Sequence, residues 1–385
     1  MFVLLTRSVK VNICHLFQYW QYKLRNVTRG DDWDNDDSTL TTLQVTFTPT
    51  LVIISNVFCT VFLIVTTGIV KRVSEWARHV GSLALSLLAM IIITVLTFVN
   101  TDSFSVAVLQ GSSYGLAGMF PASCMSGMIS GQAVAGIFSS LAMIISLLVG
   151  GDDVTSALIF FVIADVFLVI TIIGYIYLTK TTFYDQMKIE ATKTDIDGKQ
   201  NTKNDWKSYL LVFKKVWLMG TTLGGTLFFT LMIYPAVLVY ITSVYPTSQW
   251  TEVYFQPTIT FLLFNIGDWA GREAPRLVKW PGPDGWLLHI FGAARVVFIP
   301  LLMLCHGENK TFPTVLDHDA YYIILLFFFA ITNGYVGTLA MIYYPGLVED
   351  DEIELAGTIM AALLGIGMVI GSLLSPAFVA LWGPT

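Results

Sequence analysis

The sequence predicts an all-α, polytopic transmembrane helical bundle arranged in two lobes. Three observations predict it. Of 385 residues, 55% are hydrophobic and only 12% charged, with a mean hydropathy of +0.69; soluble domains carry about 25% charged residues. The polar residues collect in short clusters between apolar runs of the length a bilayer demands, about 20 residues for a helix. One long polar stretch, 179–215, then divides those runs into two sets of similar size.

Ten runs are candidate spans: 49–70, 80–100, 104–123, 127–149, 154–178, 216–242, 253–272, 286–305, 320–344 and 354–382. Residues 1–48 form an expected external segment, 49–178 a first five-span bundle, 179–215 a cytoplasmic loop, and 216–385 a second five-span bundle. Lysine and arginine orient them, because basic loops stay on the cytoplasmic side. Lys71, Arg72 and Arg78 follow the first run; eight lysines lie in 179–215; Arg272, Arg276 and Lys279 follow the seventh run. The links at 101–103, 150–153 and 243–252 carry none. With ten spans, all three basic links fall on one side. The two N-x-S/T acceptors for glycosylation, Asn26 and Asn309, fall on the other. Two external sequons point to the plasma membrane.

Other classes lack their signatures. The net charge of −6 and the absence of a basic stripe give no reason to expect nucleic acid. The four cysteines show no zinc spacing or disulfide framework, and the five histidines are scattered, so neither metal nor cofactor is expected. No nucleophile–base constellation or phosphate-cradling glycine loop suggests an enzyme. Ten spans do not suit a seven-helix receptor.

Polar side chains inside a span need a partner or an aqueous cavity, because each costs roughly 2.5–3.5 kcal/mol on insertion scales. The seventh run holds the clearest group, in FLLFNIGDWAGR. Phe261, Asn265, Asp268 and Arg272 are spaced to share one helical face. Asp268 and Arg272 can pair one turn apart. The face either lines a cavity or packs against a neighbour as a self-neutralised ion pair. A second group contains Gln110, the glycines Gly111, Gly115 and Gly118, and Gln132 in the fourth run. Small residues there permit close helix approach, while a glutamine in lipid requires a partner or a ligand. Asp165, Arg295 and Asn333 are further intramembrane candidates, and Tyr234-Pro235 places a proline inside the sixth run, where it frees a carbonyl and kinks a helix. Arg78 and Glu354 open the second and last runs at the inner interface, where a pair between them would latch a gate.

Four segments resemble the equilibrative nucleoside transporter family: QGSSYGLAGMFPAS with MSGQAVAG around 110–136, LMIYPAV at 231–237, FNIGDWAGR at 264–272, and NGYVGTLAMIYYP followed by ELAGTIMA at 333–361. The resemblance implies a facilitative carrier with a major-facilitator-like arrangement, working by alternating access on nucleosides such as adenosine and uridine. On the matching positions, Gln110 and Asn265 would hydrogen-bond the nucleoside. Asp268 and Arg272 would hold the ribose region, and Phe261 and Tyr234 would line the base pocket. Arg78 and Glu354 match the family's cytoplasmic gate pair. The family has eleven spans, so the first is expected to survive only as a remnant within 1–48, and the third run is short against the family pattern. Two alternatives follow: proton-coupled uptake, motivated by Asp165 and Asp268, and a non-transporting truncated isoform.

Overall fold

The computed structural model describes residues 122–149, 153–182, 206–245, 248, 250–283, 286–307, 310–349 and 352–383, with 53, 56, 57, 60 and 61. Among them the structure is helical, and the β-type pairing is one isolated bridge between Cys305 and Leu316. The helices are α1 (Ala122–Val149), α2 (Asp153–Leu178), α3 (Trp206–Ile233), α4 (Phe264–Leu277), α5 (Leu287–Ala294), α6 (Phe298–Met303), α7 (Asp319–Tyr343) and α8 (Ile353–Trp382). Among the described residues, five helical stretches are long and apolar enough to cross a membrane: 130–149, 158–178, 209–240, 319–347 and 355–382. A shorter apolar helical stretch covers Leu287–Met303.

The apolar surface is turned outward as lipid requires. Val162, Val166, Val169, Ile170 and Ile173 form an exposed stripe along α2. Ile366, Ile370, Leu373 and Leu374 do the same on α8. In water such stripes would be a liability; in a bilayer they are the expected outer face.

Three departures from the expected runs have physical reasons. α3 begins at Trp206, inside the stretch expected to be connector. Its first turns, WKSYLLVFKK, carry three lysines and so fall outside the expected apolar run, yet lysine propagates a helix readily. Its other end stops at Ile233 instead of kinking and continuing to 242. Pro235 lacks an N–H, and its ring collides with a carbonyl in the preceding turn. The chain passes through turns into a short 3₁₀ segment, Leu238–Tyr240, and the amide of Gln256 donates to the Val239 carbonyl at 2.5 Å. The eighth run is likewise broken, by a 3₁₀ turn at Arg295–Val297 between α5 and α6.

The seventh run is helical from Trp250 to Leu277, but its first part, Trp250–Tyr254 and Gln256–Leu263, is wound as π-helix before α4 takes over. Of the polar face, Phe261 lies in the π-wound part and Asn265, Asp268 and Arg272 in α4.

Packing depends on small residues. α3 packs most extensively on α8, where a Cβ on Gly367 would lie 2.1 Å from the Gly224 carbonyl and one on Gly371 2.5 Å from that of Phe228. α4 and α7 approach just as closely: a Cβ on Gly271 would sit 2.1 Å from the Ile331 carbonyl. With lipid outside, dispersion between closely packed backbones drives helix association, and glycine allows the approach. Two apolar clusters fill the remainder: one around Val216, Leu339 and Met360, the other around Ile233, Phe264 and Phe329.

Candidate functional site

The polar face of the seventh run is split among three neighbours. Phe261, in the π-wound part, turns toward the end of α3 and meets Tyr234 edge-on, with ring centroids 6.2 Å apart. Tyr234 also stacks on Phe264 at 4.0 Å and 14°. Both expected base-pocket rings are buried within the second apolar cluster. Asn265 turns toward α1, and its Nδ2 donates to Ser140 Oγ at 2.9 Å. Helix α1 comes close at this point because Gly136 has no side chain; a Cβ there would lie 2.3 Å from Asn265 Oδ1.

Asp268 and Arg272 form the expected ion pair. Arg272 Nε and Nη2 both reach Asp268 Oδ2 at 2.9 Å. The pair does not stand alone. Asn333 Nδ2 on α7 donates to Asp268 Oδ1 at 2.6 Å, Thr230 Oγ1 on α3 donates to Asn333 Oδ1 at 2.7 Å, and Arg295 Nη2 donates to Thr230 Oγ1 at 2.8 Å. Arg272 Nη1 points the other way, to Gln132 Oε1 on α1 at 3.4 Å. Asp268 is 1% and Arg295 1% exposed. One carboxylate thus takes direct or relayed hydrogen bonds from two guanidinium groups, the arrangement in which charge persists at membrane depth.

Arg295 is held by more than Asp268. Its Nη1 donates to the Phe329 carbonyl at 2.8 Å and to Thr332 Oγ1 at 2.5 Å, and its guanidinium lies 4.6 Å from the centre of the Phe329 ring. The 3₁₀ turn at Arg295–Val297 is therefore the place where the eighth run delivers a cation to the centre of the bundle.

The described part of the first run adds a second polar contact across the molecule. Asn56 Nδ2 donates to Ser372 Oγ at 2.9 Å, and Thr60 Oγ1 donates to the Gly365 carbonyl at 3.0 Å, both on α8. Asn56, Ser140 and Thr230 were absent from the sequence expectations. Only Thr230 has a signal, the four-residue repeat Thr222, Thr226, Thr230 that aligns hydroxyls along one line of α3.

Gln110, Arg78, Asn26 and Asn309 lie outside the described residues, as does the side chain of Glu354. Next to that masked side chain, Lys215 Nζ meets Glu352 Oε2 at 2.5 Å, joining α3 to the residue just ahead of α8.

Long apolar helices enclosing a buried charged network define an integral membrane protein of the transporter class. The chain matches a family model described as Nucleoside transporter over residues 96–202 and 187–380. It is 34% identical to Equilibrative nucleoside transporter 1 of Homo sapiens, over 81% of this chain and 77% of that protein. It is 33% identical to Equilibrative nucleoside transporter 2 of Homo sapiens, over 75% and 72%. With Equilibrative nucleoside transporter 3 of Rattus norvegicus the identity is 28% over 92% and 82%. The chain belongs to the nucleoside transporter family.

Proposed function

We propose that this protein carries nucleosides such as adenosine and uridine across a lipid bilayer, facilitatively and by alternating access, with no chemical conversion of the cargo. The observation that carries the reading is the polar face of α4, held between helices from the two sides of the polar stretch 179–205. A facilitative carrier requires only a site reachable from each side in turn, made from a few hydrogen bonds and a stacking surface. Asn265 is the amide for the nucleobase or ribose, and Asp268 with Arg272 is the acceptor–donor pair for ribose hydroxyls. Tyr234 and Phe261 form the aromatic wall once they part, and Gln110 supplies the opposing amide.

The remaining assignments complete the proposal. Arg78 with Glu354 latches the inner gate, Asn26 and Asn309 carry glycans, and the membrane is the plasma membrane. The test is uptake of radiolabelled adenosine and uridine by cells expressing the chain, beside an Asn265→Ala variant. Saturable uptake that the variant weakens is the expected result. An intact, surface-expressed chain without flux overturns it.

A further inference from the structure

Among the described residues, two sets of bonds around the polar face stand out. One is the relay that runs from Asp268 to Asn333, from Asn333 to Thr230 and from Thr230 to Arg295, all within the part of the chain after residue 205. Those from Asn265 to Ser140 and from Arg272 to Gln132 run to α1, which precedes the polar stretch. The second set uses donors that the proposed function assigns to the substrate: Asn265 Nδ2 and Arg272 Nη1. Geometry marks these contacts as exchangeable. The Arg272–Gln132 contact, at 3.4 Å, is long against the ordinary 2.9–3.0 Å. Ser140 Oγ loses little on release, because it also donates to the Gly136 carbonyl of its own helix at 3.0 Å.

We infer that Ser140 and Gln132 occupy the substrate's place when the carrier is empty, forming a latch that slows reorientation until nucleoside displaces it. The inference rests on the proposed function. Alternating access moves the two halves against each other, so an empty carrier must break these bonds to α1 with no substrate to replace them. In the loaded carrier Asn265 and Arg272 have turned to the nucleoside's oxygen and nitrogen acceptors, and Ser140 and Gln132 are already released. Loaded reorientation is then faster than empty reorientation. Ser140 and Gln132 are positioning residues here: they act through Asn265 and Arg272.

The readout is trans-acceleration, the ratio of labelled uridine influx into cells preloaded with unlabelled uridine to influx into unloaded cells. The wild type is expected to show a ratio above one. Ser140→Ala and Gln132→Leu bring it toward one by speeding the empty return, each by roughly two- to tenfold, the factor carried by one net hydrogen bond. Gln132→Glu sets a carboxylate against Arg272 and moves the ratio the other way, up. A folding defect lowers surface protein and both influxes in proportion, leaving the ratio unchanged. A wild-type ratio of one, or a ratio insensitive to all three substitutions, overturns the latch while leaving nucleoside transport intact. Absence of any wild-type uptake defeats the underlying function instead.

Discussion

Asn265 and Asp268 lie within one turn of α4, yet they belong to contacts of different kinds. Asp268 is locked among α3, α4 and α7, with both carboxylate oxygens engaged and two arginines feeding it. Asn265 has a single hydroxyl partner across a seam to α1, where a missing side chain at Gly136 makes room. The difference separates framework from moving part. A buried charge that loses its partners is strongly destabilised, so its contacts belong where nothing shifts. A neutral amide trades one hydrogen bond for another at little net change, so its contacts suit a surface that opens.

The comparison breaks most readily at its strong end. Asp268→Ala leaves Arg272 and Arg295 buried without their carboxylate and is expected to cost ~3–5 kcal/mol. Thermal unfolding of the detergent-purified protein and surface biotinylation measure it, and most of the variant should fail to reach the surface. A loss no larger than that of Asn265→Ala would erase the distinction between the two regions.

The framework is sharpened next through its glycines. A Cβ on Gly334 would lie 2.1 Å from the Asp268 carbonyl, so Gly334→Ala must push α7 from α4 and is expected to destabilise by ~1–3 kcal/mol. Gly337, one turn on, meets only Leu223 Cδ1 at 3.6 Å. There alanine fits, and its better helix propensity leaves stability equal or higher by up to ~1 kcal/mol. Opposite signs for the two variants in the same unfolding assay confirm that contact with Asp268, and not glycine content, sets the result.

At the seam the effect shifts from stability to transport. Asn265→Ala removes one neutral hydrogen bond and is expected to raise the uridine KM about five- to tenfold, with a stability loss of ~1 kcal/mol. Concentration-dependent uptake normalised to surface protein reads the first, and thermal unfolding the second. A variant with unchanged KM and a large stability loss would return Asn265 to the framework.

Much of this was legible in the sequence. The charge deficit and the apolar runs give a helical membrane protein, and α-helical spacing puts Asp268 beside Arg272. The split of that face was not legible. Period-3.6 reasoning aligns Phe261 with Asn265, whereas Phe261 lies in π-wound turns and meets Tyr234 while Asn265 meets Ser140. Arg295 and Asn333 stand out as polar residues in apolar runs, but their connection runs through Thr230, whose one sequence signal is the four-residue threonine repeat along α3. Ser140 and Asn56 gave no pattern at all, because a cross-chain partner is a property of packing and not of spacing. The extra turns of α3 were hidden by their own lysines, which an apolar window rejects and a helix readily accepts.

One of those lysines supplies a partly exposed ion pair between α3 and the start of α8. Lys215 on α3 meets Glu352, just ahead of α8, at 2.5 Å, and the Glu349 N–H donates to the same oxygen at 3.2 Å. Burial pushes the Glu352 carboxyl up, but the Lys215 hydrogen bond, the Glu349 N–H and the lysine charge together hold it below its ordinary 4.5. A depressed carboxyl contributes stability that is present above 4.5 and is lost as pH falls through the folded-state value. The side chains are 36% and 20% exposed, so water and salt screen the pair. Lys215→Met is therefore expected to cost only ~0.2–1 kcal/mol at pH 7. The gap between wild type and variant should narrow with added salt and close in acid, as measured by thermal unfolding across a pH series. A gap of several kcal/mol that survived acid would place this contact beside Asp268, as a buried pair in which α3 and α8 share charge as well as glycine.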